Sequence, residues 1–159
     1  MSSGLIVRAA TVGDVLCVAE RLRETDLAEL RGLRPNDRPA DVLLYGLRHG
    51  VTCDVLTFDD EPLAIFGLAP TANADMGIPW MMGTDGLNRR RKVMLRMGRF
   101  FVRKWLEVFP CLVNIVLATS TENIRYIKRL GFEVGGPQTS PAYDHAFCVF
   151  YMTRSRYHV

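Results

Sequence analysis

Apolar positions along the chain fall into short continuous runs separated by stretches with helical spacing. Leu5 to Arg8 predicts a strand, and the segment opened by Thr11 predicts an amphipathic helix carrying Val15, Leu16, Val18, Ala19 and Leu22. Thr25 to Leu33 keeps that spacing through Leu27, Leu30 and Leu33. Pro35 and Pro39 then interrupt it, and Ala40 to His49 predicts another helix ending at Gly50. Val51 to Phe58 and Leu63 to Ala69 are apolar runs joined by Asp59-Asp60-Glu61-Pro62, the pattern of an antiparallel hairpin with a charged turn. Met76 to Met82 predicts a further strand. Pro79 inside it has no N–H for a ladder, which requires a bulge or an edge at that point. The longest helix is predicted from Leu87 or Asn88 to about Val108. Val93, Met94, Met97, Phe100, Phe101 and Trp105 form its apolar stripe, and Lys92, Arg96, Arg99 and Arg103 its basic one. Leu112 to Ala118, almost continuously aliphatic, predicts a buried strand. Ser120 is placed to cap a helix through Leu130, which Gly131 stops. A brief strand around Glu133, a Gly-Gly-Pro loop and a strand from Ala146 to Met152 close the chain. Residues 1–159 read as a single α/β (α+β) domain without repeats or linkers.

Composition narrows the class. A chain of 159 residues that is 48% apolar can fill one core, which excludes a disordered tail protein. No run reaches the roughly 18 to 20 apolar residues of a membrane helix, and Met1 to Ala10 lacks the apolar centre of a secretory signal. The expectation is a soluble, cytoplasmic protein with no membrane partner. Cys17, Cys53, Cys111 and Cys148 are scattered, without a CxxC pair, so core packing is expected rather than a metal site or a disulfide framework.

The net charge of +3 conceals a division. Residues 1–88 hold 7 basic and 13 acidic side chains, net −6, whereas residues 89–159 hold 13 basic and 4 acidic, net +9. Eight of the basic residues lie between Arg89 and Lys104, so an anionic partner is expected to meet that segment.

The strand-to-helix passage Met82-Gly83-Thr84-Asp85-Gly86-Leu87-Asn88-Arg89-Arg90-Arg91 is a place where helix N–H groups and the helix dipole can hold a phosphate. Together with Ser120-Thr-Glu-Asn-Ile-Arg-Tyr-Ile-Lys-Arg-Leu-Gly-Phe132, it resembles the GNAT superfamily of acyl-CoA-dependent N-acetyltransferases. More narrowly, Trp80 to Val134 resembles the internal virion protein A group of short-tailed phages. The resemblance implies a mainly antiparallel, mixed sheet of six to seven strands flanked by about four helices and splayed between strands 4 and 5. It also implies acetyl-CoA as acyl donor, no metal, and direct attack of an amine on the thioester. Carried over, Trp80, Met81 and Met82 offer backbone to the pantetheine, and Gly86, Leu87, Asn88, Arg89, Arg90, Arg91 and Asn123 complete the cofactor contacts. The phosphate-loop glycines of the family are replaced here by arginines. The tyrosine that often protonates the leaving thiolate would fall at Ile127, with Tyr126 one position, about 100°, around the helix.

A general base is not assigned, although Glu61, Asp75 and Asp85 lie near the expected cleft, and Tyr143 and Tyr151 fall on strands that line the acceptor side in the family. Two function classes remain. One is a phage-type N-acetyltransferase whose acceptor amine belongs to a host protein, placing it in the host cytoplasm. The other is a GNAT-fold binding or virion-associated protein without catalysis. Nucleic-acid binding by the basic helix face is a lesser reading, since no exposed aromatics or DNA-binding motif accompany it. His49 and His145 are isolated from any nucleophile motif, which argues against a hydrolase triad.

Overall fold

A computed structural model describes residues 4–157; His158 lies outside the described residues. In chain order the elements are β1 (Leu5–Ala9), α1 (Val12–Glu20), α2 (Glu24–Leu33), α3 (Pro39–His49), β2 (Thr52–Phe58), β3 (Glu61–Pro70) and β4 (Met76–Gly83). A 3-10 turn (Asp85–Arg89) leads to α4 (Arg91–Val108), followed by β5 (Cys111–Leu117), α5 (Thr121–Arg129), β6 (Glu133–Val134), β7 (Gln138–Ser140), β8 (Tyr143–Thr153) and α6 (Arg154–Tyr157). The strands form one sheet in the order β1-β2-β3-β4-β5-β8-β6, with β7 also on β8. Every pairing is antiparallel except β4 with β5. The class and the place of the splay agree with the sequence reading. The strand count rises because Gln138–Ser140, too short and polar to show a period, pairs with β8, which itself begins at Tyr143 rather than Ala146.

Local chemistry accounts for the element ends. Thr11 and Asp14 form a reciprocal capping box at the start of α1, and Arg8 clasps the Asp14 carboxylate from β1 at 2.6 Å. The β2–β3 turn is only Asp59-Asp60, both at positive φ as in a type I′ turn, so Glu61 and Pro62 belong to β3. Gly131, at φ +103, ends α5 as expected. Ser120 does precede that helix, but its side chain makes no cap hydrogen bond.

The sheet separates two apolar layers. Val15, Val18, Leu43, Val55 and Ile65 pack under α1 and α3, all fully buried. Under α4 and α5 lies a larger cluster that includes Leu56, Phe66, Leu87, Met94, Trp105, Leu112, Phe132 and Phe150. The α4 stripe differs from the predicted one. Val102 and Leu106 enter the core, whereas Phe100 is 54% exposed with the Lys104 ammonium 5.3 Å from its ring centre. The longest helix also starts at Arg91, three or four residues later than periodicity suggests. Leu87 is apolar because it fills the core from the preceding 3-10 turn, and Arg90, at φ −127 and ψ 42, breaks the chain direction before α4 begins.

Candidate active site

The site begins where β4 and β5 part. They share only two residue pairs, Met76 with Cys111 and Gly77 with Leu112, and then diverge. Strand groups alternate sides with a period of two. The Asp75 carbonyl accepts from Cys111 N–H, the Pro79 carbonyl from the Asn114 side chain, and Gly83 N–H donates to Asp26, so odd-numbered residues of β4 face the gap. Thr84 N–H, on the opposite parity, donates to Leu63 of β3. Pro79 therefore sits at an edge: its missing N–H points where β5 has already left, and the β3–β4 register passes through it unbroken.

The same accounting on β5 places Ile115 and Leu117 N–H groups toward the gap. Asn114 answers both strands at once, giving its amide to the Pro79 carbonyl at 2.9 Å and accepting Ile115 N–H at 2.7 Å. Helix α2 closes the wide end with two carboxylates. Asp26 accepts Gly83 N–H at 2.8 Å and pairs with Arg23 at 2.7 Å, while Glu29 accepts Leu117 N–H at 3.1 Å and the Asn123 amide at 3.4 Å. Gly83's carbonyl accepts Arg23 N–H. Between the occupied groups of Pro79 and Gly83, Met81 turns its own N–H and C=O into the gap.

The gap opens into a cavity of about 630 Å³, within the range of small-molecule sites. Its walls are mostly apolar: Leu33, Val42, Tyr45 and Trp80 on the α3 side, and Phe66, Phe101, Trp105 and Phe150 on the α4 side. A second hollow of about 120 Å³ lies at the N-terminus of α4, where Asn88, Arg91, Arg125 and Arg129 gather. Arg23, Asn123 and Tyr126 line both, so the basic hollow and the apolar cavity share a wall.

The residues singled out in the sequence divide accordingly. Trp80, Met81, Met82 and Asn123 line the main cavity, although Trp80 and Met82 have the parity that faces β3. Leu87, Asn88 and Arg91 line the basic hollow, Leu87 being fully buried. Gly86, Arg89 and Arg90 line neither. Gly86 packs on Leu63 so closely that a Cβ would meet the leucine at 2.7 Å. Arg90 bonds the Gly86 carbonyl at 3.1 Å and lies over the Phe58 ring at 4.2 Å. Within the 3-10 turn, Leu87 N–H is spent on the Thr84 carbonyl. The first amides of α4, at Arg91, Lys92 and Val93, are the ones presented at its N-terminus.

Of the carboxylates that the sequence places near the cleft, Glu61 pairs with Arg21 at 2.9 Å, and neither it nor Asp75 nor Asp85 lines the cavity. Glu29 does, and sequence reasoning missed it. A signal existed: Asp26, Glu29, Leu30 and Leu33 share one face of α2 at i, i+3, i+4 and i+7. Burial raises the Glu29 carboxyl above its ordinary value, opposed by hydrogen bonds from Leu117, Asn123 and Ser120. Tyr126 and Ile127 both line the cavity. The Tyr126 hydroxyl donates to the Met94 carbonyl at 3.0 Å, and burial pushes it up to about 12. Tyr143 reaches the cavity, whereas Tyr151 bonds Glu133 elsewhere. No group of His, Cys, Asp and Glu among the described residues is arranged to hold a metal, and none of their helices is long and apolar enough to cross a membrane.

The sequence matches no known family profile and no curated protein. Solved structures do match the fold. Ard1 of Thermoplasma volcanium is 14% identical, with TM-score 0.70 over 94% of this chain and 97% of its own. The aminoglycoside acetyltransferase AAC(6')-Ib, solved with coenzyme A and kanamycin, is 13% identical, with TM-score 0.69 over 97% of each chain. The spermidine N-acetyltransferase of Vibrio cholerae, solved with CoA and spermine, is 12% identical, with TM-score 0.68 over 99% of this chain and all of its own. The chain has the GNAT fold.

Proposed function

We propose that the protein is an acetyl-CoA-dependent N-acetyltransferase. One observation carries the reading: β4 and β5 separate after two residue pairs, leaving Met81 N–H and C=O directed into a cavity that adjoins a basic helix N-terminus. The fit to the donor follows from this chain's groups. Met81 would pair with the pantetheine arm as a missing strand would, and Asn123 would bond it at the junction of the two hollows. The α4 amides with Arg91, Arg125 and Arg129 would hold the pyrophosphate, where a helix terminus alone contributes roughly 0.3 to 2 kcal/mol and neighbouring cations are needed. Acetyl-CoA supplies an acyl group already activated as a thioester.

The protein's part is to orient that group beside the acceptor and to exclude water, which the apolar walls do. Tyr126 keeps its proton bonded to Met94, and Ile127 has none to give, so departure of the thiolate rests on its own stability as a leaving group. The finer reading, a phage-type enzyme acting on a host-protein amine, rests on the resemblance of Trp80 to Val134. The tied Tyr126 hydroxyl and the aliphatic Ile127 favour the second reading, a GNAT-fold protein that binds the nucleotide without turnover.

Titration calorimetry with acetyl-CoA tests the first step. Saturable binding is expected, weakened at least tenfold in Arg125→Glu/Arg129→Glu and by added salt. Absence of saturation at millimolar ligand would overturn the reading. Thiol release with an amine then separates the enzyme from the binding protein.

A further inference from the structure

The cavity has a charge balance that limits what can enter it. Four charged side chains line it among the described residues: Arg23, Asp26, Glu29 and Arg34. Arg23 and Asp26 neutralise one another, the guanidinium 11% and the carboxylate 5% exposed, and Arg34 faces Asp37 at 3.7 Å. That leaves Glu29, whose three hydrogen-bond donors, Leu117, Asn123 and Ser120, are all neutral. A carboxylate offers about four acceptor sites, so with three donors in place it retains capacity for about one more. On the α2–α3 side the remaining wall is apolar and aromatic, with Leu33, Val42, Trp80 and Tyr45. Tyr45 is 67% exposed while lining the cavity, which places it at the mouth, and its ring rests on His49 at 4.4 Å.

A polycation needs a carboxylate or water for each ammonium it buries, because an unpaired buried charge is disfavoured. One unmatched carboxylate in an apolar wall serves one ammonium, and the tyrosine and tryptophan faces suit the apolar body that carries it.

We infer that the acceptor presents a single amine on an apolar, ring-sized body, its nitrogen at Glu29 and its body between Tyr45 and Trp80; aminoglycosides and polyamines are excluded as preferred acceptors. The inference rests on the N-acetyltransferase reading. In the reaction the nitrogen bonds the acetyl carbon as the carbon–sulfur bond breaks. The ammonium loses two protons, one appearing on the CoA thiol and one in solvent. The same chemistry occurs in a small arylalkylamine and in the free N-terminus of an apolar peptide.

The assay measures CoA thiol release with four acceptors: 2-phenylethylamine, a peptide beginning with phenylalanine, spermidine and kanamycin. Acetyl-CoA binding is checked first by calorimetry. Both tryptophans of the chain line the cavity, so intrinsic fluorescence reports acceptor binding independently of turnover. The expected result is a kcat/KM at least tenfold higher for one or both monoamines than for either polycation, with the better monoamine identifying the source. Glu29→Gln should keep its acetyl-CoA affinity and lose at least tenfold in kcat/KM. Failure to bind acetyl-CoA would remove the N-acetyltransferase reading itself. With binding intact, thiol release favouring spermidine or kanamycin, release with a polycation but with neither monoamine, or undiminished activity in Glu29→Gln would overturn the inference alone, whereas no release with any of the four would overturn the N-acetyltransferase reading and the inference with it.

Discussion

Asp26 holds β4, α2 and Arg23 together, and its removal should be among the costliest single changes near the cavity. Its residue is 4% exposed, it accepts Gly83 N–H at 2.8 Å, and it faces the Arg23 guanidinium at 2.7 Å. Asp26→Ala strands a largely buried cation, a change that costs about 3–5 kcal/mol. In a chain of this size that corresponds to a fall in Tm of roughly 6–20 °C. Arg23→Met/Asp26→Leu removes both charges and fills the volume, leaving chiefly the unanswered Gly83 N–H, worth about 1–3 kcal/mol. The double variant should thus be more stable than Asp26→Ala alone. Urea unfolding of the three proteins, with matching slopes, measures both numbers. A loss below about 1 kcal/mol for Asp26→Ala, or a double variant less stable than the single, would refute the buried-pair argument.

Three further outcomes follow from the same contacts. Arg8 and Thr11 hold the Asp14 carboxyl at about 2, against an ordinary 3.8. Its contribution is thus fully present above pH 4 and lost as pH falls through 2. It is worth at most about 2 kcal/mol, because Arg8 is partly exposed; acid unfolding of Asp14→Asn should lack this component. Gly46 lies against Trp80, a Cβ there meeting the ring at 2.6 Å. Gly46→Val should cost about 1–3 kcal/mol and shift tryptophan emission, and an unchanged spectrum would show that the ring is not gripped there. Leu87→Ala should lose about 2–5 kcal/mol in chemical denaturation, as a core leucine does; loss of acetyl-CoA affinity without loss of stability would instead make Leu87 a ligand contact.

Much of this architecture was legible because its signals are local. The apolar runs at Val51 to Phe58 and Leu112 to Ala118 are strands. Pro79 did mark the place where β4 becomes an edge, since a missing N–H is tolerated only where no neighbour needs it. What escaped reading depended on tertiary contacts. Leu87 and Asn88 continue a helical period, but the chain spends Leu87 on the core from a 3-10 turn, and α4 waits until Arg91. In sequence Arg89, Arg90 and Arg91 group as one set of expected cofactor contacts. The fold splits it, sending Arg91 to the basic hollow, Arg90 onto Phe58 and Arg89 to neither cavity. Glu29 is hard to single out in sequence because acids on an amphipathic helix usually face water, whereas here β5 offers a bare N–H that a carboxylate can answer.

The cleft-facing amide of Met81 gives the most direct test of the whole account. Amide hydrogen exchange, resolved at that residue and followed with and without saturating acetyl-CoA, should show rapid exchange in the free protein and strong protection in the complex, with Ile65 and Gly67 on β3 unchanged. Unaltered exchange at Met81 under conditions where acetyl-CoA is bound would contradict pairing of the donor with β4.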